Sequence, residues 1–559
     1  MKELLHVHSG ISYSFKIHNS YTILEELLNV IIDYERNKIN GMTVEEVRKE
    51  AKKIITNDLV IKSKYPELYE VIKEEVSGAL KTTNTQAIDP NSIAKMNSIK
   101  EIIKQLFHKF KPVDYLQTSL VLTKNAIDNS DGNKVVILCP IIVSASLMIG
   151  RTISGLYLSI SNYFENKELS FDENWKRWSA ILLIAESKYI CYIPIDDKLS
   201  SSLEKKKTWR ELKELYKESA RLEYIEEGLY YEIEVKAPAS DLPAIYNKAY
   251  TTYRNELAII EFATAKVERL EKTILAYDIH NKGIIKIEPK ENEFVYKPYN
   301  QYHVNIEQAV KNFVSSLNEQ DYIKVIGTVT NVCNFERESN EYGFLLLWSS
   351  LEAMFRSNQF ETAIGAIKNI IPTIITRRYI YYRLVDFIKD AQKAEVTYRF
   401  NYKDFIKKNP SDEDIETLYQ LLQIPDEYNN LAYLCKQKYV LLYYKCYDLN
   451  NMVINAGAVS NVITHHKETL EFHLQRMYRV RNKFMHHAEI DKNIAALYKH
   501  LLVYTWECIR EMAYVSETRG IKSLEEIYAY FRMNYGVSIK SLKDARNSVD
   551  FSKIKNGYL

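Results

Sequence analysis

Glycine and proline are scarce, at 15 and 12 among 559 residues. That scarcity argues against a sandwich of short strands joined by tight turns and favours long helices. Cysteine is rarer still. Cys139, Cys191, Cys333, Cys435, Cys446 and Cys508 include no CxxC pair, so neither a zinc knuckle nor a dithiol redox motif is present. Their scatter suits reduced thiols in the cytosol. Charge of one sign is lacking too. The 75 Lys and Arg against 73 Asp and Glu leave a formal charge of +2, so any nucleic-acid contact must come from a local patch. The longest uncharged run, Val135 to Gly150, contains Pro140, stops before Arg151 and is too short for a membrane span. The opening residues lack the apolar stretch of a signal peptide. No phosphate-loop or G-x-G-x-x-G pattern occurs; the nearest approach is Gly150–Gly155. These absences lead us to expect a cytoplasmic protein with no membrane contact and no cofactor.

Hydrophobic residues make up 46% of the chain and charged residues 26%, which calls for large buried cores. The expected fold class is mainly α, with a C-terminal helical bundle preceded by a mixed α/β N-terminal region with long helices. Residues 1–115 read as helical. Thr43-x-x-Glu46 has the form of a capping box, 83–92 reads as a loop around Asp89-Pro90, and Ile99 to Phe107 is amphipathic. Residues 116–300 read as mixed α/β and as a sensor or regulatory region. Val135–Val143 and Ala180–Ile184 read as apolar, partly β-branched strands, as does Tyr189–Ile193 closed by Pro194. Two long charged helices, 203–227 and 243–277, are expected around a strand at Tyr230–Val235, as a solvated hairpin or dimer arm. The Pro289 and Pro298 segment, 288–302, reads as a linker. Residues 303–548 read as one all-helical unit without internal repeats, including helices at 427–449, 467–487 and 493–515.

One segment of that unit carries chemistry: Arg481-Asn482-Lys483-Phe484-Met485-His486. On a helix, Asn482 and His486 share a face, and Arg479 lies nearly on it. Arg481 stands about 140° from His486 on an ideal helix. It joins them only through its long side chain, a local distortion or a second protomer. RNA cleavage without metal needs a base for the 2′-OH proton, an acid for the leaving 5′-oxygen and positive charge on the phosphorane-like transition state. Histidine, which titrates near neutral pH, and a guanidinium are suited to these tasks, and Asn can orient the imidazole. An Arg-x4-His spacing arises often by chance, so the surroundings matter. Trp348, Leu351 and Phe355 form an apolar stripe with Glu352 at its edge. A partly buried carboxylate there needs a cation, and Arg479 or Arg481 is the candidate.

Trp348-x-x-Leu351-Glu352-x-x-Phe355, together with Tyr478-Arg-Val-Arg-Asn-Lys-Phe-Met-His-His487 and a following long helix, resembles the HEPN superfamily. The resemblance is to the ApeA-like HEPN domains of bacterial anti-phage proteins, and it covers about residues 340 to 515. It implies a dimerising helical bundle whose Arg and His residues from two protomers line one cleft. It also implies metal-independent endoribonuclease activity used as a toxin or in abortive infection. Carried over by position, Arg481 binds the scissile phosphate, His486 is general acid or base, Asn482 orients, and Glu352 holds the arginine, with Arg479 and His487 in support. Ala488 stands where the family often has Gly. The expected partners are RNA, a second copy of the chain, and a phage-derived or cellular trigger. Because some HEPN domains have lost catalysis, a non-catalytic module for RNA or protein binding and dimerisation is the alternative.

Two further patterns bear on function. Arg377-Arg378-Tyr379-Ile-Tyr381-Tyr382-Arg383 and Tyr398-Arg399-Phe400-Asn-Tyr402-Lys403 interleave cations and aromatics, as an RNA-facing surface does; an amphipathic helix with its tyrosines in the core gives the same pattern. His6-Val-His8 on an expected strand puts two imidazoles on one side, similar to the opening motif of amidohydrolase or PHP-type metal barrels. A metal-dependent hydrolase in the N-terminal region is thus a second alternative, although only Asp278-x-His280 offers a partner motif. His465, His466 and His473 lack acidic or Cys company and read as surface or cleft residues.

Overall fold

The computed structural model describes residues 1, 18–83, 87–165, 169–195, 205–218, 221–264, 273–279, 282–288, 305–334, 340–491, 494–544 and 549–557. His6 and His8, His280 and almost all of the expected linker lie outside them. The chain divides into two compact units near residue 293. Among the described residues it is mainly helical, with one small antiparallel sheet of five strands and a two-stranded hairpin.

The first unit opens with helices whose starts are written in the sequence as side-chain caps. Asn19, Asn40, Asp58, Asp89, Asp131, Thr152 and Ser170 each accept a hydrogen bond from a backbone N–H in the first turn of the helix that follows. Such caps satisfy donors that the helix itself cannot. The helix Gly41–Ile55 therefore starts before the expected capping box, with Asn40 rather than Thr43 at its N-cap. Pro90 begins the helix Pro90–Lys109, whose Ile99, Ile103 and Leu106 are buried.

Helices continue to Leu182, well past residue 115. Val135–Val143 is part of one helix, Gly132–Met148, and not a strand. The run is long enough for helix, and burial of Leu138, Ile142 and Val143 outweighs the β preference of its branched residues. Pro140 deprives the Val136 carbonyl of its helical donor, but Val136 is exposed, so water can supply one. Ala180–Ile184 is likewise mostly the end of the helix Phe171–Leu182.

The sheet has strands β1 (Ser187–Ile195), β2 (Lys206–Thr208), β3 (Leu229–Ala237), β4 (Ile274–Asp278) and β5 (Gly283–Ile287) in the order β2-β3-β1-β4-β5. Cys191 pairs with Ile233 on one side and with Ala276 on the other. Period-two alternation sends Tyr189, Cys191 and Ile193 to the face covered by the helix Leu242–Thr264, through Ile245, Ala249, Tyr253 and Leu257. Tyr192, Tyr230 and Leu275 face the short helix Trp209–Leu215 through Leu212. The two long charged helices are thus corrected. The first is a short strand, a two-turn helix and a 3-10 turn, and the second is described as helix over Leu242–Thr264, while Ile274–Tyr277 at its expected end belongs to β4.

The second unit is a helical bundle. Ile494–Arg519 runs through it, buried along much of its length, against Ile306–Ser316, Asn340–Met354 and Ala363–Thr376. Ala456–His487 is an unbroken helix of 32 residues, about 48 Å long. It packs on Ala363–Thr376, Val440–Val453 and Leu524–Asp544. The expected helix 427–449 is two helices, Pro425–Lys438 and Val440–Val453, hinged at an extended Tyr439. Among the described residues, no helix is long and apolar enough to cross a membrane.

Candidate active site

Glu352 and Arg481 come together from helices 129 residues apart in sequence. Leu347, Trp348, Leu351, Met354 and Phe355 are fully buried on one side of Asn340–Met354 and its end, which leaves Glu352 at the rim of the core. Its carboxylate is held from both sides. Trp348 Nε1 donates to Oε1 at 2.8 Å, and Arg481 Nη2 donates to Oε2 at 2.9 Å. Arg481 Nη1 in turn donates to Asn482 Oδ1 at 2.9 Å. Tyr478, one turn before Arg481 and Asn482, sets its ring 6.2 Å from the Trp348 ring. The side chains of Arg481 and Glu352 are 24% and 20% exposed, so the pair is partly screened and still reachable from solvent.

Of the two arginines weighed for Glu352, Arg481 is the one that reaches it; Arg479 is half-buried on the same helix. His486 is exposed about one and a half turns beyond Arg481, near the helix end. The helix is unbroken through this stretch, and ideal helical geometry sets the two about 140° apart. Asn482 is the bridge, bonded to Arg481 and on the His486 side. His487 closes the helix; its side chain lies outside the described residues. Ala488 follows in the left-handed conformation, φ 50°, and its N–H caps the Phe484 carbonyl. This is the backbone geometry that glycine adopts most easily.

The basic and aromatic interleave sits elsewhere and mostly inward. Arg377 and Arg378 are 5% and 3% exposed. Arg377 Nη1 meets Glu511 Oε2 at 2.6 Å and its Nη2 donates to the Asn556 carbonyl, while Arg378 donates to the Lys555 carbonyl at 3.2 Å. Buried guanidiniums tied to a carboxylate and two carbonyls have no face to offer a phosphate, so the expected RNA-binding role is withdrawn for both. Arg383 is half-buried in the same region. Arg399 is exposed but paired with Asp404 across the hairpin Arg399–Phe400/Lys403–Asp404.

His466 proves buried and His473 half-buried. His466 stacks on Tyr379 at 3.8 Å and lies 3.2 Å from the Thr376 hydroxyl; burial, with His465 and Arg383 nearby, pushes its pKa down to about 3. His473 bonds the Tyr504 hydroxyl at 2.6 Å. Burial holds His500 down at about 4, with Lys499 adding to the effect, and lifts the Glu507 carboxyl to about 8 against the opposing pull of Arg510. Among the described residues, no three His, Cys, Asp or Glu side chains cluster as a metal site requires.

The indole N–H of Trp348 and the carboxylate of Glu511 are the contributors that sequence reasoning missed. The first was foreshadowed by the four-residue spacing of Trp348 and Glu352. The second had no local signal, since Glu511 lies 134 residues from Arg377. No family model matches the chain, and no curated protein or solved structure matches it.

Proposed function

We propose that the second unit is a metal-independent endoribonuclease of the HEPN type, acting as an anti-phage toxin or abortive-infection effector. The observation that carries this reading is the anchored guanidinium: Arg481 held by Glu352, with Glu352 itself held by Trp348. An arginine fixed by a rear carboxylate keeps its remaining N–H groups in a set direction, which suits stabilising charge that develops on a phosphate. His486, exposed close by, supplies proton transfer. The reaction attaches the substrate's 2′-oxygen to phosphorus and breaks the P–O5′ bond. The proton leaves the 2′-OH and another reaches the departing 5′-oxygen, giving a 2′,3′-cyclic phosphate and a 5′-hydroxyl.

Arg481 and His486 of a single chain stand about 140° apart on one unbroken helix, by ideal helical geometry. A homodimer, in which the arginine of one protomer faces the histidine of its partner, brings both to one phosphate. The first unit then senses a trigger and restrains the nuclease. A second reading is supported by the same ion pair. With Arg481 neutralised by Glu352, the bundle could hold RNA or a protein without cutting it. The test is incubation of the full chain with total RNA in EDTA, beside His486→Ala. Cleavage by the wild type alone supports the nuclease, and equal cleavage by both removes His486 from the site. Retention of RNA without products selects the binding module, and cleavage abolished by EDTA selects a metal-dependent activity such as the one weighed for His6 and His8.

A further inference from the structure

The surface expected to meet RNA is largely buried, but the second unit displays another of the same chemical kind. Where Pro425–Lys438 meets Val440–Val453, Tyr433, Tyr439, Val440 and Leu441 are each at least half exposed. Lys436 and Lys438 are exposed between the tyrosines. Tyr433 and Lys436, three residues apart, share a helix face, and Tyr439 is the extended joint at the corner. Large apolar and aromatic side chains rarely gather unpaired at such a corner without a partner.

The charge pattern selects the partner. From Tyr428 to Tyr447 the chain has six tyrosines and three lysines and no acidic residue. Of the lysines, Lys445 is neutralised by Asp390, which leaves Lys436 and Lys438 as the cations of the corner. Glu427 and Asp448 bound the run, and Glu427 is engaged by the Tyr398 hydroxyl. Flat rings alternating with cations match unpaired nucleotides: the rings stack on bases while the ammonium groups neutralise phosphates. The exposed aliphatics are only two, Val440 and Leu441, which is little for membrane insertion.

We infer that this corner, Tyr433, Lys436, Lys438 and Tyr439, is a docking surface for an unpaired RNA strand. The inference rests on the ribonuclease reading and places substrate recognition on a surface apart from Glu352 and Arg481. The helix Val440–Val453 packs directly on Ala456–His487, the helix that carries Arg481 and His486. The shared core lies at the start of that helix, at Ala456, Val459 and Ile463, so a strand gripped by the corner reaches Arg481 by running along the helix, about 27 Å beyond Ile463.

The test uses the full chain with His486→Ala as parent, so that RNA survives, and fluorescence anisotropy with a labelled oligouridylate. Tyr433→Ala with Tyr439→Ala should weaken binding about tenfold or more, through lost stacking. Lys436→Gln with Lys438→Gln should reduce the slope of log K on log salt by about 1.4, for two phosphate contacts on a single strand. All four side chains are exposed, and an unchanged thermal midpoint verifies the fold. Equal affinity and equal slope in parent and variants would overturn the surface while leaving the nuclease intact. A parent that binds no oligouridylate, beside a wild type that cuts no RNA, would remove both. RNA binding unchanged in the variants, with loss instead of sedimentation on phosphatidylserine vesicles or of self-association, would reassign the corner to a membrane or a second copy and overturn the proposal.

Discussion

A double-mutant cycle on Glu352 and Arg481 measures whether the pair is an energetic unit or a chance approach. Its magnitude can be framed from exposure. Fully exposed ion pairs contribute about 0–1 kcal/mol, and hydrogen bonds to charged groups shielded from water about 1.5–3 kcal/mol. With side chains 24% and 20% exposed, and with Trp348 fixing the second carboxylate oxygen, the coupling should be about 1–2 kcal/mol. Glu352→Gln keeps an acceptor for Trp348 and removes the charge. Arg481→Met keeps the apolar stem and removes the guanidinium. Urea unfolding of wild type, both single variants and the double variant gives the coupling directly. Single-variant losses that add to the double within about 0.5 kcal/mol would refute the argument that Glu352 holds Arg481. On the nuclease reading, Glu352→Gln also lowers RNA cleavage by about 10- to 100-fold, because Arg481 loses its fixed direction.

Ala488→Gly should stabilise the second unit by about 0.5–1 kcal/mol, read as a small rise in thermal midpoint, because the Cβ penalty of about 1–2 kcal/mol removed at the left-handed cap exceeds the about 0.4–1 kcal/mol lost to a looser unfolded chain. Glu507 gives a pH prediction. Its folded carboxyl sits at about 8 against an ordinary 4.5, so between those values the folded state keeps a proton that the unfolded state has released. Stability therefore falls as pH rises through that window. Glu507→Gln, which resembles the protonated form, should gain roughly 3–5 kcal/mol over wild type at pH 8 and almost nothing at pH 4.5. Thermal melts at the two pH values check this, and equal gains at both would show that Glu507 does not titrate in the core.

The helical character of the second unit was legible because its apolar residues recur at helical spacing and Gly and Pro are few. The Glu352 and Arg481 contact was legible as a need: a carboxylate at the edge of a Trp348–Phe355 stripe has to find a cation. What failed did so for a shared reason. Val135–Val143 and Arg377–Arg383 carry local patterns that fit two environments, and only distant residues decide between them. Burial of Leu138 and Ile142 within the first unit makes the former a helix. Glu511 and the carbonyls of Lys555 and Asn556 draw two arginines of the latter inward. The corner at Tyr439 was hidden because an unbroken helix satisfies the same periodicity as two helices meeting there.

The central claim is that Arg481 and His486 cut RNA through the substrate's own 2′-hydroxyl. Mapping the ends left by the full chain on total RNA in EDTA tests it most directly. The wild type should leave 2′,3′-cyclic phosphate and 5′-hydroxyl ends, and Arg481→Ala and His486→Ala should each leave the RNA intact. Ends bearing a 3′-hydroxyl and 5′-phosphate, or the same cyclic ends from either variant, would contradict it.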